Sequence, residues 1–328
     1  MAMEHLLPHR PIAVSGLESG PTATPAIAIL LACYNGAANL AAQLDSFCAQ
    51  TVAPALLIVS DDGSKDASRA ILADFAAAHP ELPVQLIEGP RQGAAQNFLH
   101  LLRAVPPEID MVAISDQDDV WLPEKLARGA AALAGQAQPA LSTGSSWVCD
   151  AGLTKLCRMP VPARPPSFRH ALVQNIAGGN TMMLNRAALA LLQAASLEAR
   201  KLVVHDWWIY QIIAGVGGVV LYDPEPVLLY RQHAGNLIGA NHGFVAKSRR
   251  LKLLLIGRFR RWNSINIKTL TPSAHRFTAQ NRQILQDFER LRRMALLPRL
   301  QQLKRLGLYR QGLAGNLSLW LAAVLGKI

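Results

Sequence analysis

Four times between residues 27 and 133 a short, largely apolar run is followed by a stretch whose apolar residues recur at helical spacing. That alternation constrains the fold more than any other feature, because a strand apolar along its length must be buried on both faces. The runs are 27–33, 56–59, 84–87 and 111–114. The first stripe holds Leu40, Leu44, Phe47 and Cys48. The second holds Ala67, Ile71 and Phe75, with Asp66 placed to cap the helix, and the third holds Phe98, Leu101 and Leu102 within 93–105. Pro123 suits the first turn of a fourth helix running to Leu133. Four strand–helix units predict an α/β fold with an open, mostly parallel sheet flanked by helices on both faces.

Ligands of such sheets bind at the carboxyl ends of the strands. The residues there are Tyr34-Asn35-Gly36 after strand one, Ser60-Asp61-Asp62-Gly63-Ser64 after strand two and Ser115-Asp116-Gln117-Asp118-Asp119 after strand four. Five carboxylates on one rim repel one another unless a cation shares them. Hard divalent ions prefer such oxygens, and an Asp-x-Asp pair can hold one against a diphosphate. Asp61 is placed to accept from a nucleotide's base or ribose, and Tyr34 to stack on the base. Each also has a plainer reading, Asp61-Asp62-Gly63-Ser64 as a turn and Tyr34 as a structural ring. Further on the pattern loosens. Gly178-Gly179-Asn180-Thr181 is an acceptor loop or a simple turn, and His205-Asp206-Trp207-Trp208 opens a helix. Asp206 is a general base or a helix cap, with Trp207 and Trp208 as an apolar platform for a sugar.

Together these segments resemble glycosyltransferase family 2. The resemblance rests on Ala32-Cys33-Tyr34-Asn35-Gly36, on Ser60 to Ser64, on Asp116-Gln117-Asp118-Asp119-Val120-Trp121-Leu122-Pro123-Glu124-Lys125, on His205-Asp206-Trp207-Trp208 and on Tyr230-Arg231-Gln232-His233 with Asn236 and Gly239. It covers roughly residues 26–241 and is nearest to bacterial rhamnosyltransferase-like members. It implies a GT-A fold and inverting transfer from a nucleoside-diphosphate sugar to a saccharide or lipid-linked saccharide of the cell surface. It places Tyr34, Asp61 and Asp116 at the nucleotide sugar, Asp118 and His233 at Mg²⁺ or Mn²⁺, and Asp206 as the base; the reading of the residues adds Asn35 to the nucleotide-sugar side and Gly179, Asn180, Trp207 and Trp208 to the acceptor side. Many members carry Glu-Asp where this chain has His205-Asp206.

Charge divides the chain. From Ala246 to Ile328 there are 18 Lys and Arg against Asp287 and Glu289, while the remainder is mildly acidic. The sequence therefore suggests a loose leader over 1–25, a catalytic domain over 26–241 and a basic helical region over 242–328, broken by Pro272 and Pro298. Leu296, Leu300, Leu303 and Leu306 recur among Arg299, Lys304 and Arg305, and 317–325 is apolar. A helix apolar on one face and cationic on the other predicts peripheral binding to an anionic membrane at the cytoplasmic leaflet. The alternative is that these helices pack on the body. Neither a signal-peptide core nor an apolar run of about 20 residues occurs. The four cysteines have no metal-site spacing and are expected as core residues of a cytosolic protein. Rival readings are a nucleotidyltransferase-like metal enzyme and a nucleic-acid-binding protein using the basic tail. The tail's aromatics are too sparse for the latter.

Overall fold

The computed structural model describes residues 24–232 and 257–328. The first half follows the predicted alternation: β1 (Ile27–Cys33), α1 (Leu40–Cys48), β2 (Leu56–Asp61), α2 (Ser68–Ala78), β3 (Val84–Glu88), α3 (Ala94–Ala104) and β4 (Met111–Ser115). Then come β5 (Val120–Trp121), α4 (Lys125–Leu133), β6 (Ala140–Cys149), β7 (Lys155–Arg158), α5 (Phe168–Ala171), β8 (Met183–Asn185), α6 (Arg186–Ser196), α7 (His205–Gly215) and β9 (Val219–Arg231). The basic region supplies α8 (Arg258–Ser273), α9 (Ala279–Leu291), α10 (Leu296–Leu306) and α11 (Gly312–Val324).

One sheet runs β3-β2-β1-β4-β8-β6-β9-β5, with β7 beside β6. Strands β3, β2, β1 and β4 are mutually parallel, and β8 breaks the pattern by pairing antiparallel with both β4 and β6. The central strand β1 shows why its sequence is apolar throughout. Ala28 and Leu30 enter one core with α3, α6 and α7, while Ile27, Ile29 and Leu31 enter the other with α1, α2 and α4. Fully burying side chains of this size contributes roughly 1.5–3 kcal/mol each. The run 84–87, expected as a strand, forms the edge: β3 pairs on one side only and Leu86 is exposed.

The basic helices share the first of these cores. Ile267, Leu270, Phe277, Phe288, Leu303 and Leu306 all belong to it. A side chain on Gly215 of α7 would meet the Phe277 ring at 2.6 Å, so the glycine lets the two segments close. Asn281 donates to the carbonyls of Ala214 and Gly215, and Arg169 donates to that of Leu306. The α10 leucine stripe therefore packs inward through Leu303 and Leu306, as the body-packing alternative required. Of the cysteines, Cys33 and Cys149 are buried, Cys157 is half-buried and Cys48 is exposed. No helix among the described residues is long and apolar enough to cross a membrane.

Candidate active site

The carboxyl ends of β1, β2 and β4 bring three polar turns together. After β1, Asn35 takes a left-handed conformation (φ 49°) that frees its side chain to accept from the Lys65 amide, while its own amide donates to Ser64. Gln117 clamps the same turn, accepting from the Tyr34 amide at 2.8 Å and donating to the Tyr34 carbonyl at 3.0 Å. A Cβ on Gly36 would sit 2.4 Å from that glutamine, which is why the position is glycine. The Tyr34 backbone is thus fixed while its ring is 55% exposed on the rim.

Asp61 ends β2 fully buried. Burial pushes its pKa up, but the Ser64 hydroxyl and amide and the Arg69 guanidinium outweigh this and hold it below the usual carboxylate range. Both its oxygens are engaged, Oδ1 by Ser64 and Oδ2 by Arg69. Asp62 accepts from the amides of Arg91 and Gly93 and so pins the loop after β3. Both carboxylates shape the floor of the rim.

The segment after β4 is organised by Asp119, a residue to which the sequence alone attached no role. Its side chain is fully buried. It accepts from Asn180 Nδ2 at 2.5 Å and from the Arg231 amide at 3.2 Å, while its own amide donates to Gln43 of α1 at 3.0 Å. Burial and the neighbouring Asp118 raise its carboxyl to about 7. Arg231 braces the same loop from β9, donating Nε to the Asp118 carbonyl. Asp116 lies half-buried, its carboxyl pushed well above the ordinary value by burial and then by Asp119, Asp118 and Asp206. Lys125 faces this group from inside. Its amine is buried, lies 3.1 Å over the Trp121 ring and has no hydrogen-bond partner among the described residues. Burial drives its pKa well below the usual amine range, against the pull of Asp119 and Asp116.

Asp206 sits in the first turn of α7, whose cap is Val204 rather than Asp206. Its Oδ1 accepts from the Trp207 amide at 2.6 Å and its Oδ2 from the Gly179 amide at 3.3 Å. Burial raises its carboxyl to about 6 despite these bonds. The short turn Gly179–Thr181 thus spans two carboxylates, Gly179 reaching Asp206 and Asn180 reaching Asp119. A Cβ on Gly179 would lie 2.4 Å from His205 Nε2, so only glycine admits this approach. Asp206 is near enough to Asp116 to raise its carboxyl further.

The remaining candidates divide. Trp207 and Trp208 are buried, with Trp207 donating to the Ala171 carbonyl, so neither offers a face to a sugar. The platform expectation is corrected: α7 is enclosed by α3, α5, α6 and α8 together with β6 and β9. His205 is buried, stacked on Phe98 at 3.7 Å and pushed by burial to about 3, which makes it a neutral packing residue. His233, Asn236 and Gly239 lie outside the described residues. Remote from the rim, at the far ends of α1 and α2, Cys48, His79 and Glu81 bring three potential ligand atoms within 4.8 Å of one another.

Comparison with known proteins agrees with this architecture. Residues 28–160 match the family described as glycosyl transferase family 2. A dTDP-rhamnosyl transferase, RfbG, of Shigella flexneri is 26% identical over 231 residues, 68% of this chain and 78% of that protein. Among solved structures, residues 1–349 of TarS from S. aureus in complex with UDP-GlcNAc superimpose with a TM-score of 0.52 at 14% identity, covering 86% of this chain and 80% of that one. The mannosyltransferase PcManGT of Pyrobaculum calidifontis, in complex with GDP-Man and Mn²⁺, gives 0.50 at 18% identity over 94% and 87%.

Proposed function

From the glycosyl transferase family 2 domain that residues 28–160 of this chain carry, we propose that the protein transfers a sugar from a nucleoside-diphosphate sugar to a hydroxyl of a saccharide or lipid-linked saccharide, with inversion. One observation carries the reading. A carboxylate raised to about 6, Asp206, stands across the Gly179–Thr181 turn from an acidic segment that holds Asp116 and Asp118. Inverting transfer needs these two parts, a base for the acceptor and a separate place for the departing diphosphate.

In this reading the exposed Tyr34 ring stacks on the nucleotide base, with Asn35 and Asp61 setting the turn beneath it. Asp118 and Asp116 hold Mg²⁺ or Mn²⁺, with His233 proposed beside them on sequence alone. The residues fit such an ion, because burial and then the neighbouring carboxylates drive Asp116 upward, and a divalent cation relieves the repulsion among them. The ion, when bound, neutralises charge on the departing diphosphate. Asp206 takes the proton of the attacking hydroxyl at whichever oxygen faces the acceptor, and the Gly179 amide fixes the orientation of the carboxylate. Gly179 and Asn180 line the acceptor side. The Shigella relative favours a dTDP-rhamnose donor, the sequence resemblance favours cell-surface polysaccharide as the product, and the Mn²⁺ in the mannosyltransferase complex favours a divalent ion. Binding of the basic C-terminal region to an anionic membrane belongs to the same reading.

Calorimetric titration of the pure protein with dTDP-rhamnose and with UDP- and GDP-sugars tests it. Donor binding is expected with Mn²⁺, and loss of binding in EDTA and in Asp118→Ala. Undiminished binding in EDTA contradicts the metal role, and no binding of any donor contradicts the reading itself.

A further inference from the structure

The last helix is apolar all round, and only half of it is covered. Leu319, Ala322 and Ala323 of α11 are fully buried against the body. Leu313, Leu317, Trp320, Leu321, Val324 and Leu325 face outward, with Leu313 85% and Leu317 70% exposed. Their spacing of four, three, one, three and one residues is a single helical stripe. An apolar stripe of this kind, left in water, marks a surface that meets something else. The first turn of α10 carries two more exposed leucines, Leu296 and Leu297, and it lies against the end of α11, where Arg299 donates to the Ala323 carbonyl.

Charge decides what meets it. Residues 290–328 hold eight Lys and Arg and no Asp or Glu. Several of these cations stand beside the helix: Arg310 donates to Ser318, Arg299 to Ala323, and Arg292 to the Ile328 carbonyl. Two copies of the chain meeting through this face would bring like charges together, which is costly. An anionic surface answers both the leucines and the cations. At 13 residues α11 spans about 20 Å, too short for a hydrocarbon core of about 30 Å, so it would lie in the interface and not cross. A tryptophan on the stripe suits that depth, since its ring is apolar and its N–H seeks a polar partner.

We propose that the outward face of α11 inserts into the headgroup boundary of an anionic lipid bilayer, with the flanking arginines on lipid phosphates. The proposal rests on the membrane part of the functional reading and moves the contact from the α10 leucine stripe, whose Leu303 and Leu306 are buried, to α11. It is independent of the transfer chemistry.

Co-sedimentation of the full chain with vesicles of phosphatidylcholine and phosphatidylglycerol (3:1) at low salt tests it. The wild type should pellet with these vesicles, less so at high salt, and its tryptophan emission should shift to the blue. The triple variant Leu313→Gln, Leu317→Gln, Leu321→Gln should lose at least tenfold in vesicle affinity. Trp320→Phe should still pellet but lose the blue shift. Because these side chains point outward, circular dichroism and donor binding should be unchanged, which separates failure here from failure of the functional reading. Should the triple variant misfold, Leu313→Gln alone together with the Trp320→Phe spectrum decides the same question. Wild-type protein that ignores the vesicles, a folded triple variant that binds as well as wild type, or a wild-type dimer that becomes a monomer in the variant without vesicle binding by either would overturn the proposal.

Discussion

Asn180 donates its side-chain amide to the buried carboxylate of Asp119 at 2.5 Å, and through that bond the turn in front of α7 is tied to the acidic segment after β4. The residue before it, Gly179, donates to Asp206. Asp206 and the acidic rim are therefore held at a fixed separation by two adjacent residues. A site that works by positioning needs that rigidity.

Replacing Asp119 removes the hub. In Asp119→Ala the Asn180 amide and the Arg231 amide lose their acceptor inside the protein. Buried donors left unsatisfied cost roughly 1–3 kcal/mol each, so the expected loss is about 2–5 kcal/mol in urea denaturation. A loss under about 1 kcal/mol would show that the bonds are not holding the segment.

Lys125 places a buried amine against Asp119 and Asp116. Lys125→Met keeps the bulk but removes the amine that pulls the Asp116 and Asp119 carboxyls down, which leaves them more reliant on an added ion. The rise in melting temperature on adding Mn²⁺ should be larger in the variant than in wild type. An equal rise contradicts the coupling.

The pH dependences of stability and activity should run in opposite directions. Asp119 and Asp206 have folded pKa values near 7 and 6, raised above the ordinary carboxylate value. The fold therefore binds protons more tightly than the unfolded chain. The stability these two groups contribute is full below about pH 4 and is lost as pH rises through 6 and 7. With Asp206 as base, kcat/KM should instead fall about tenfold per pH unit below about 6. Thermal melts in EDTA from pH 4.5 to 8, beside a pH–rate profile, check both signs. A kcat/KM that stays flat down to pH 5 contradicts the assignment of the base.

Gly179 leaves no room for a side chain. Gly179→Ala would force the new Cβ onto His205, disturb its stacking on Phe98 and displace the amide from Asp206. Overpacking of this kind costs roughly 1–3 kcal/mol, and turnover should drop more than donor affinity does. A variant with wild-type kcat would place Gly179 outside the acceptor side.

What could be seen in the chain alone follows from how strongly each segment is constrained. The β1 to β4 half was legible because strands buried on both faces admit few polar residues, and the acidic turns directly follow them. The second half was not. Strand β6 carries Ser142, Thr143, Ser145 and Ser146, which are polar yet buried between neighbouring strands, so no alternation marks it. Trp207 and Trp208 resemble a sugar platform in sequence because their position beside Asp206 is visible there, whereas the burial of α7 depends on α8, far along the chain. Asp119, Lys125 and Gln43 lie within or near recognised segments, but their roles come from contacts across 61 residues or more of sequence or from burial, which no local pattern signals. The α10 leucines recur as a membrane face would, yet half of them complete the core, and the uncovered face is on α11.

In the proposed mechanism Asp206 is the base and takes no part in holding the donor. The most direct measurement pairs turnover with donor affinity for Asp206→Asn, which keeps the shape of the side chain and removes its basicity. The expected result is a loss of roughly 10²–10⁴ in kcat with a calorimetric donor Kd within about twofold of wild type. A near-normal rate, or a lost rate accompanied by lost donor binding, would contradict it.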